Sequence, residues 1–300
     1  ALRVVAYRQI THDGADKLLG GTDGSRLYFS GSFPIYGVNQ VSISGGETAP
    51  IPVKLANPAV DGVSPDGATL LVTSFTGGLR PDYPLWSVGT LGGSQHLLGT
   101  ATAQAFSPDG SAVVYAAANG DLHVVRTGGG GDRILVSTES LNYDLSWSPD
   151  GRTIRYARAG VYARTHGLTQ AAVEQLWEVP AAGGSPHPAL PGFAGEQHQG
   201  IWAQDGSFYF VSDSQIWAVE AHHAFFGSSQ SEPVQITSGP IRWRTPVPGR
   251  DGKTIYASGF TARGQLEHFD PHSGRMQPFL GGISADMVTF SRDGKSVTYV

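Results

Sequence analysis

The stretch "LSWSPDGRTIRYA" (145–157) recurs along the chain in altered form, and that recurrence constrains the fold more than any other feature. Its core returns as TDGSRLYFS from Thr22, SPDGATLLV from Ser64, SPDGSAVVY from Ser107 and SPDGRTIRY from Ser148. It returns again as AQDGSFYFV from Ala203, GRDGKTIYA from Gly249 and SRDGKSVTYV from Ser291. The aspartates are Asp23, Asp66, Asp109, Asp150, Asp205, Asp251 and Asp293, spaced by 43, 43, 41, 55, 46 and 42 residues. A period of about 40–45 residues is that of one four-stranded blade in a radial β-repeat.

Each copy carries the other parts of such a blade. A short apolar strand precedes the Asp-Gly, as in AQAFS (103–107) and YDLSWS (143–148), and an alternating strand follows it. A third strand bears an aliphatic or aromatic signature: LWSV (85–88), LHVV (122–125), LWEV (176–179), IWAV (216–219) and LEHF (266–269). A Gly-rich turn then leads to a fourth strand, such as RILVS (133–137) or VQITS (234–238). Glycine after the aspartate takes positive φ without strain, as a tight turn between twisted strands requires, and proline before it stops the preceding strand. The seven aspartates therefore read as turn formers, and Trp86, Trp177 and Trp217 as packing between blades.

The expectation is an all-β chain: one domain over 1–300, a seven-bladed β-propeller of four-stranded antiparallel blades. The seventh blade is incomplete, contributing only DMVTFS and SVTYV before Val300. The β-prone stretch VVAYRQIT (4–11) is expected to join it, so that the N- and C-terminal strands share one sheet. The 55-residue interval points to an insertion over 158–175, of which LTQAAVEQL favours helix. AHHAFFGSSQSEP (221–233) reads as a second irregular loop. Loops of this length on a rigid frame tend to carry binding.

Composition excludes several classes. With 40% hydrophobic and 15% charged residues the chain can fold, and its 41 glycines and 19 prolines suit dense turns. Net charge is −5, with no run of Lys or Arg, so this segment lacks the electrostatic footprint of a nucleic-acid binder. There is no cysteine, hence neither a disulfide framework nor a thiolate site. No stretch reaches the length of a membrane span. The chain begins at Ala1, which reads as a piece excised from a longer protein with any anchor outside it.

The pattern of Ser-Pro-Asp-Gly, Leu/Ile-Trp-x-Val and Gly-Gly turn resembles the TolB-like family of propellers built from WD40-like Pro-Asp repeats. The match is nearly unchanged at Ser64, Ser107 and Ser148; the Asp205, Asp251 and Asp293 copies lack the proline, and the Thr22 copy lacks both Ser and Pro. More narrowly, "QITHDG" (9–14), "TDGSRLYF" (22–29), "GGETAPI" (45–51), "VQITSGP" (234–240) and "ISADMVTFSRDGKSVTYV" (283–300) resemble propellers of soil bacteria. In those, a TolB-like region follows a winged-helix DNA-binding domain and a membrane span. The resemblance implies the periplasmic or extracytoplasmic sensor part of a membrane-anchored transcriptional regulator, engaged in signal transduction.

Enzymatic readings are weaker. "DGKT" (251–254) and "DGKS" (293–296) echo the end of a phosphate-binding loop, but position 247 is Val and 289 is Thr where that loop needs glycine. No GxSxG elbow is present. Ten histidines include His166, His187, His198, His222, His223, His268 and His272. Pectate-fragment lyases with this architecture hold a metal by His and Gln at the channel, and "EQHQG" (196–200) offers His198 or Gln199 there. The other inner strands begin NPAV, TAQA, NYDL, RTPV and ADMV and supply no second histidine, whereas a metal needs three or more ligands. The reading is a non-catalytic module that senses or docks a protein partner or small ligand at its loops or central channel. It carries no assigned catalytic, binding or metal residue and no cofactor, and it does not insert in a membrane. The alternative is a metal-dependent lyase or hydrolase with a channel site.

Overall fold

A computed structural model describes residues 2–31, 36–77, 82–158, 174–224, 227–261, 266–279 and 288–299. It separates into two compact units, Ala1–Gly259 and Phe260–Val300. In the first unit, five four-stranded antiparallel sheets follow one another in chain order. The first blade is β1 (Lys17–Thr22), β2 (Arg26–Gly31), β3 (Val38–Ser42) and β4 (Ala49–Pro50), and the second is β5 (Pro58–Val63), β6 (Thr69–Ser74), β7 (Tyr83–Gly89) and β8 (Gln95–Ala101). The third is β9 (Ala103–Phe106), β10 (Ala112–Ala116), β11 (Asp121–Arg126) and β12 (Arg133–Ser137). The fourth is β13 (Asn142–Trp147), β14 (Thr153–Arg158), β15 (Gln175–Pro180) and β16 (His187–Pro188). The fifth begins with β17 (His198–Trp202), β18 (Phe208–Ser212) and β19 (Gln215–Val219). A separate two-stranded ribbon, β20 (Ala221–Ala224) with β21 (Gly227–Gln230), precedes its last strand β22 (Val234–Gln235).

Each Asp-Gly turn is built from its own residues. Ser107 Oγ donates to Asp109 Oδ1 (2.6 Å), which also accepts the Ser111 N–H (3.0 Å), while Ser107 Oγ accepts the Ala112 N–H (3.0 Å). The same set recurs at Ser64–Asp66, Ser148–Asp150 and Ser291–Asp293. Asp205 and Asp251, which lack the upstream serine, still accept the N–H two residues on. Gly110 sits at φ 72°, and a Cβ on it would lie 3.4 Å from Pro65 of the preceding turn. Glycine is thus needed there for conformation, while the contact with Pro65 would accommodate a Cβ.

The apolar residues of β2, β6, β10, β14 and β18 form the middles of the sheets, so both faces are buried, and clusters lie between neighbours. Tyr28, Val38 and Ile51 meet Val60, Leu70, Val72 and Val88 between blades one and two. Leu71, Leu85 and Leu98 meet Val113, Tyr115 and Val125 between two and three. Trp86, Trp177 and Trp217 border the clusters at three such seams, in the packing role their repeat position implies. Between blades four and five lies a charge: Arg155, 2% exposed, bonds Glu178 Oε2 (2.8 Å) and stacks 4.3 Å from the rings of both Trp202 and Phe208.

The count of seven blades is wrong: the propeller has five. The Asp251 repeat yields only the pair β23 (Arg242–Pro248) and β24 (Ile255–Phe260), which closes the ring between blade five and blade one. In the second unit, β25 (Glu267–Asp270) pairs with β26 (Arg275–Pro278), and β27 (Val288–Phe290) with β28 (Val297–Tyr299). The physical reason is burial. A blade middle such as FYFVS (208–212) is wholly buried, whereas β25 and β26 carry Glu267, His268, Asp270, Arg275 and Gln277 and bury no side chain. Copies of a turn recur without the apolar surface that would build a four-stranded sheet around each.

The expected shared seventh blade is also overturned. Residues 2–16 form no strand. Leu2 and Val4 pack on the fifth-blade cluster with Trp243 and Ile255, and Ile10 packs on Leu27, Phe29 and Val41 of the first blade. Their apolar side chains are spent on the ring seam, and among the described residues β28 pairs with β27 alone. The insertion expected at 158–175 falls almost wholly on 159–173, outside the described residues, as do its helix and His166. The stretch expected as an irregular loop at 221–233 contains the β20–β21 ribbon. No helix among the described residues is long and apolar enough to cross a membrane.

Candidate functional site

The first strands of successive blades neighbour one another in a closed circle, β1–β5–β9–β13–β17–β23 and back to β1, and so form the wall of a central channel. Several are bulged: register slips at Leu19/Gly21, Val60/Gly62, Tyr143/Ser146 and His198/Ile201. Asp144, Gln199 and Thr245 take left-handed φ of 53°, 51° and 48° on three consecutive inner strands. A bulge leaves a backbone group without its ladder partner, and such a group needs another. Here the neighbouring blade supplies it. Asp144 Oδ2 accepts the Gln199 N–H (2.7 Å), and Gln199 Oε1 accepts the Thr245 N–H (2.8 Å). Ser146 Oγ accepts the Trp202 N–H (3.0 Å), and Ser30 Oγ the Val60 N–H (2.6 Å).

Asp61 occupies the matching bulge of the second blade. Thr73 Oγ1 donates to its Oδ2 (2.7 Å), and the Gln104 side chain of the third blade also bonds it. The Asp61 side chain is exposed, while neighbouring protein atoms crowd its carboxyl. That enclosure disfavours the charged form and pushes its pKa up to about 6.

The titratable groups gather at one seam. Burial raises Asp144 above the ordinary carboxylate range, against the pull of the Gln199 N–H and of His198. Glu174, the residue just before β15, is pushed up to about 7, first by burial and then by the charges of Asp144 and Glu196. The Tyr143 hydroxyl is raised by burial and by Glu174 and Asp144. Between blades four and five, then, Glu174, which holds its proton near neutral pH, and Asp144, raised by burial, stand close to a half-buried imidazole. Such groups can give or take hydrogen bonds, or meet a cationic side chain, without any change of scaffold.

Of the residues singled out from sequence, His198 and Gln199 lie on the channel wall, but Gln199 is engaged in the ring seam through both its amide oxygen and its backbone. His187 is 60% exposed on β16, 3.9 Å from Glu178, and His272 is 96% exposed beside Asp270. His268 stacks edge-on to Phe279 in the second unit. His222 and His223 are on the β20 backbone. Among the described residues no three His, Cys, Asp or Glu side chains are grouped to hold a metal ion. Asp61, Asp144, Glu174 and Thr245 were not anticipated. The signal was a charged residue interrupting an apolar inner strand, as in PAVDGV (58–63) and NYDLSW (142–147).

No family model matches the chain, and no curated protein matches it. Solved structures do. A protein assigned as TolB from Agrobacterium tumefaciens is similar over 81% of this chain and 90% of its own, with a TM-score of 0.57 at 18% identity. The chain has a TolB-like propeller fold. An auxiliary nutrient binding protein from Bacteroides thetaiotaomicron matches at TM-score 0.56 and 11% identity, over 82% of this chain and 66% of that one. A protein assigned as a 6-phosphogluconolactonase from Bacteroides uniformis matches at 0.52 and 13%, over 94% and 87%. At these identities the likeness is one of fold. TolB-like propellers, nutrient binders and lactonases share the scaffold, so what each does is written in its own channel and loops.

Proposed function

We propose that this chain is a non-catalytic protein-interaction propeller, the extracytoplasmic sensor part of a bacterial membrane-anchored regulator. One observation carries the binding reading. The polar groups of the channel wall, Asp144 and Gln199 above all, are used to tie neighbouring blades together. What remains accessible beside them is a mouth with Glu174, Glu196 and His198, suited to a basic or hydrogen-bonding contact. The finer reading of a sensor rests on the likeness of "QITHDG", "GGETAPI" and the 283–300 segment to propellers that follow a winged helix and a membrane span.

A photoreactive residue replacing His198, introduced in the native host, tests this. The expected result is a discrete crosslinked protein that disappears when Glu174→Lys reverses the charge of the mouth. Turnover of a small substrate that is abolished by Asp144→Asn in a folded protein would sink the reading in favour of an enzyme.

A further inference from the structure

Five of the six inner strands of the channel wall belong to four-stranded sheets, whereas the sixth, β23, is paired with β24 alone among the described residues. A two-stranded ribbon is marginally stable by itself, so this sector of the wall needs support from outside its sheet. Residues 2–10 supply it, running from the fifth blade across the β23–β24 pair to the first blade. The Leu2 N–H donates to Glu220 Oε1 (2.8 Å), and Leu2 and Val4 pack on the blade-five cluster of Tyr209, Ile216 and Ile236 together with Trp243 and Ile255. Tyr7 stacks on Trp243 with ring centroids 5.3 Å apart and planes 19° apart. Trp243 in turn lies against Gly259 of β24, where an added Cβ would stand 2.8 Å from the indole. Beyond the pair, Arg8 Nη2 donates to the Ile43 carbonyl (2.7 Å), and Ile10 enters the cluster of Leu27, Phe29, Val41 and Tyr256.

This segment joins no sheet and is held through side chains. Among the described residues, no backbone-to-backbone hydrogen bond outside the strands involves residues 2–16. Its release therefore breaks no cooperative ladder; it withdraws the side chains of Leu2, Val4, Tyr7 and Ile10 and two polar anchors. Its middle already faces water: Val5 is 84% exposed, and Tyr7 is 57% exposed despite its stack. The other ties of β23 are single and scattered. The Trp243 N–H donates to the Ser214 carbonyl (2.8 Å), the Thr245 N–H donates to Gln199 Oε1 (2.8 Å), and Arg244 pairs with Asp16 just ahead of β1.

We propose that residues 2–10 are a clasp that holds β23 in the channel wall, and that releasing the clasp opens the wall between blades five and one. The segment bonds to both neighbours of the pair, Glu220 on one side and Ile43 on the other, and stacks on the pair between them. It thus staples two seams at once. With the clasp withdrawn, Trp243 and Ile255 lose an apolar cover, and β23 keeps only its scattered single bonds. The seams between four-stranded blades have no such weak point, since parting them would expose clusters built from two full sheets, such as Leu70 and Val72 against Tyr28. Opening at β23 admits water or a ligand to the channel from its side. The clasp stands whether or not the channel mouth binds a partner.

Hydrogen exchange on the full chain in rising, sub-denaturing urea tests this. The amides of β23, Thr245 among them, are expected to open in a step of their own, at least tenfold faster than those of β10 and β14. Val4→Asp with Tyr7→Ala should speed exchange in β23 and β24 at least tenfold further and leave β10 and β14 unchanged. Tyr7→Phe, which keeps the stacked ring, and Val5→Asp, at the exposed position, should match the unaltered chain. Acceleration spread evenly over all five blades would mean an ordinary loss of stability and overturn the proposal. So would a β23 that exchanges no faster in the doubly substituted chain, or one that Val5→Asp accelerates equally. If the doubly substituted chain does not fold, the urea series on the unaltered chain decides alone: β23 amides that open only together with those of β10 and β14 overturn the clasp.

Discussion

Asp109 spends its carboxylate on its own turn, bonding Ser107 and Ser111 within two residues on either side. Asp109→Ala should cost about 1 kcal/mol, the usual worth of a local side-chain-to-backbone bond, and leave any binding unchanged; urea unfolding of the variant measures it. The same bonds hold the turn carboxyls below their ordinary pKa, chiefly through Ser64 at Asp66, Ser107 at Asp109 and Thr254 at Asp251, the last down to about 2. A group whose folded value lies below its unfolded one contributes stability above the unfolded value and loses it as pH falls toward the folded one. Stability should therefore drop between about pH 4 and 2, and Asp251→Asn should flatten part of that slope. Asp61 has the opposite sign, raised to about 6, so its contribution declines as pH climbs from about 4 to 6. Asp61→Asn should raise the melting temperature at pH 8 and leave it unchanged at pH 3.5. The turn residues were legible because their chemistry is local. Asp61 and Asp144 were not, because their role lies in a neighbouring blade some forty to fifty-five residues away.

At the level of strands, blade four meets blade five through a buried cation. Arg155→Ala would empty the space between Trp202 and Phe208 and leave Glu178 without its guanidinium, at a cost of about 3 kcal/mol in urea unfolding. A cost under 1 kcal/mol would mean that the clamp is ornamental. Sequence placed the strands well: LWSV (85–88) lies within β7, LHVV within β11 and LWEV within β15. It missed the β20–β21 ribbon because AHHAFFGSSQ has neither clean alternation nor an Asn-Gly turn. Strand identity is written in short periodicities, and this stretch offers none.

Over the whole molecule, the number of turns overstated the number of blades. A turn needs five or six residues, but a blade needs two buried apolar faces, and among the described residues beyond Ile255 no side chain is buried. The ring instead closes on β23, whose Thr245 N–H rests on Gln199. Gln199→Ala would leave that amide without its acceptor in the channel wall, at a cost of about 1–3 kcal/mol, read as a lower urea midpoint. An unchanged midpoint would show that the apolar packing around Trp243 holds the ring closed by itself.

The self-contained turn has an evolutionary consequence. Because Ser-Pro-Asp-Gly satisfies its own hydrogen bonds within six residues, a gene segment bounded by two such turns can be duplicated, lost or exchanged without a matching change elsewhere in the polypeptide. The ties between blades have no such freedom, since Asp144, Gln199 and Arg155 each need a named neighbour. Recombination in this lineage should therefore leave its breakpoints at the turns, and divergence should fall more slowly on the residues that bridge from one repeat to the next.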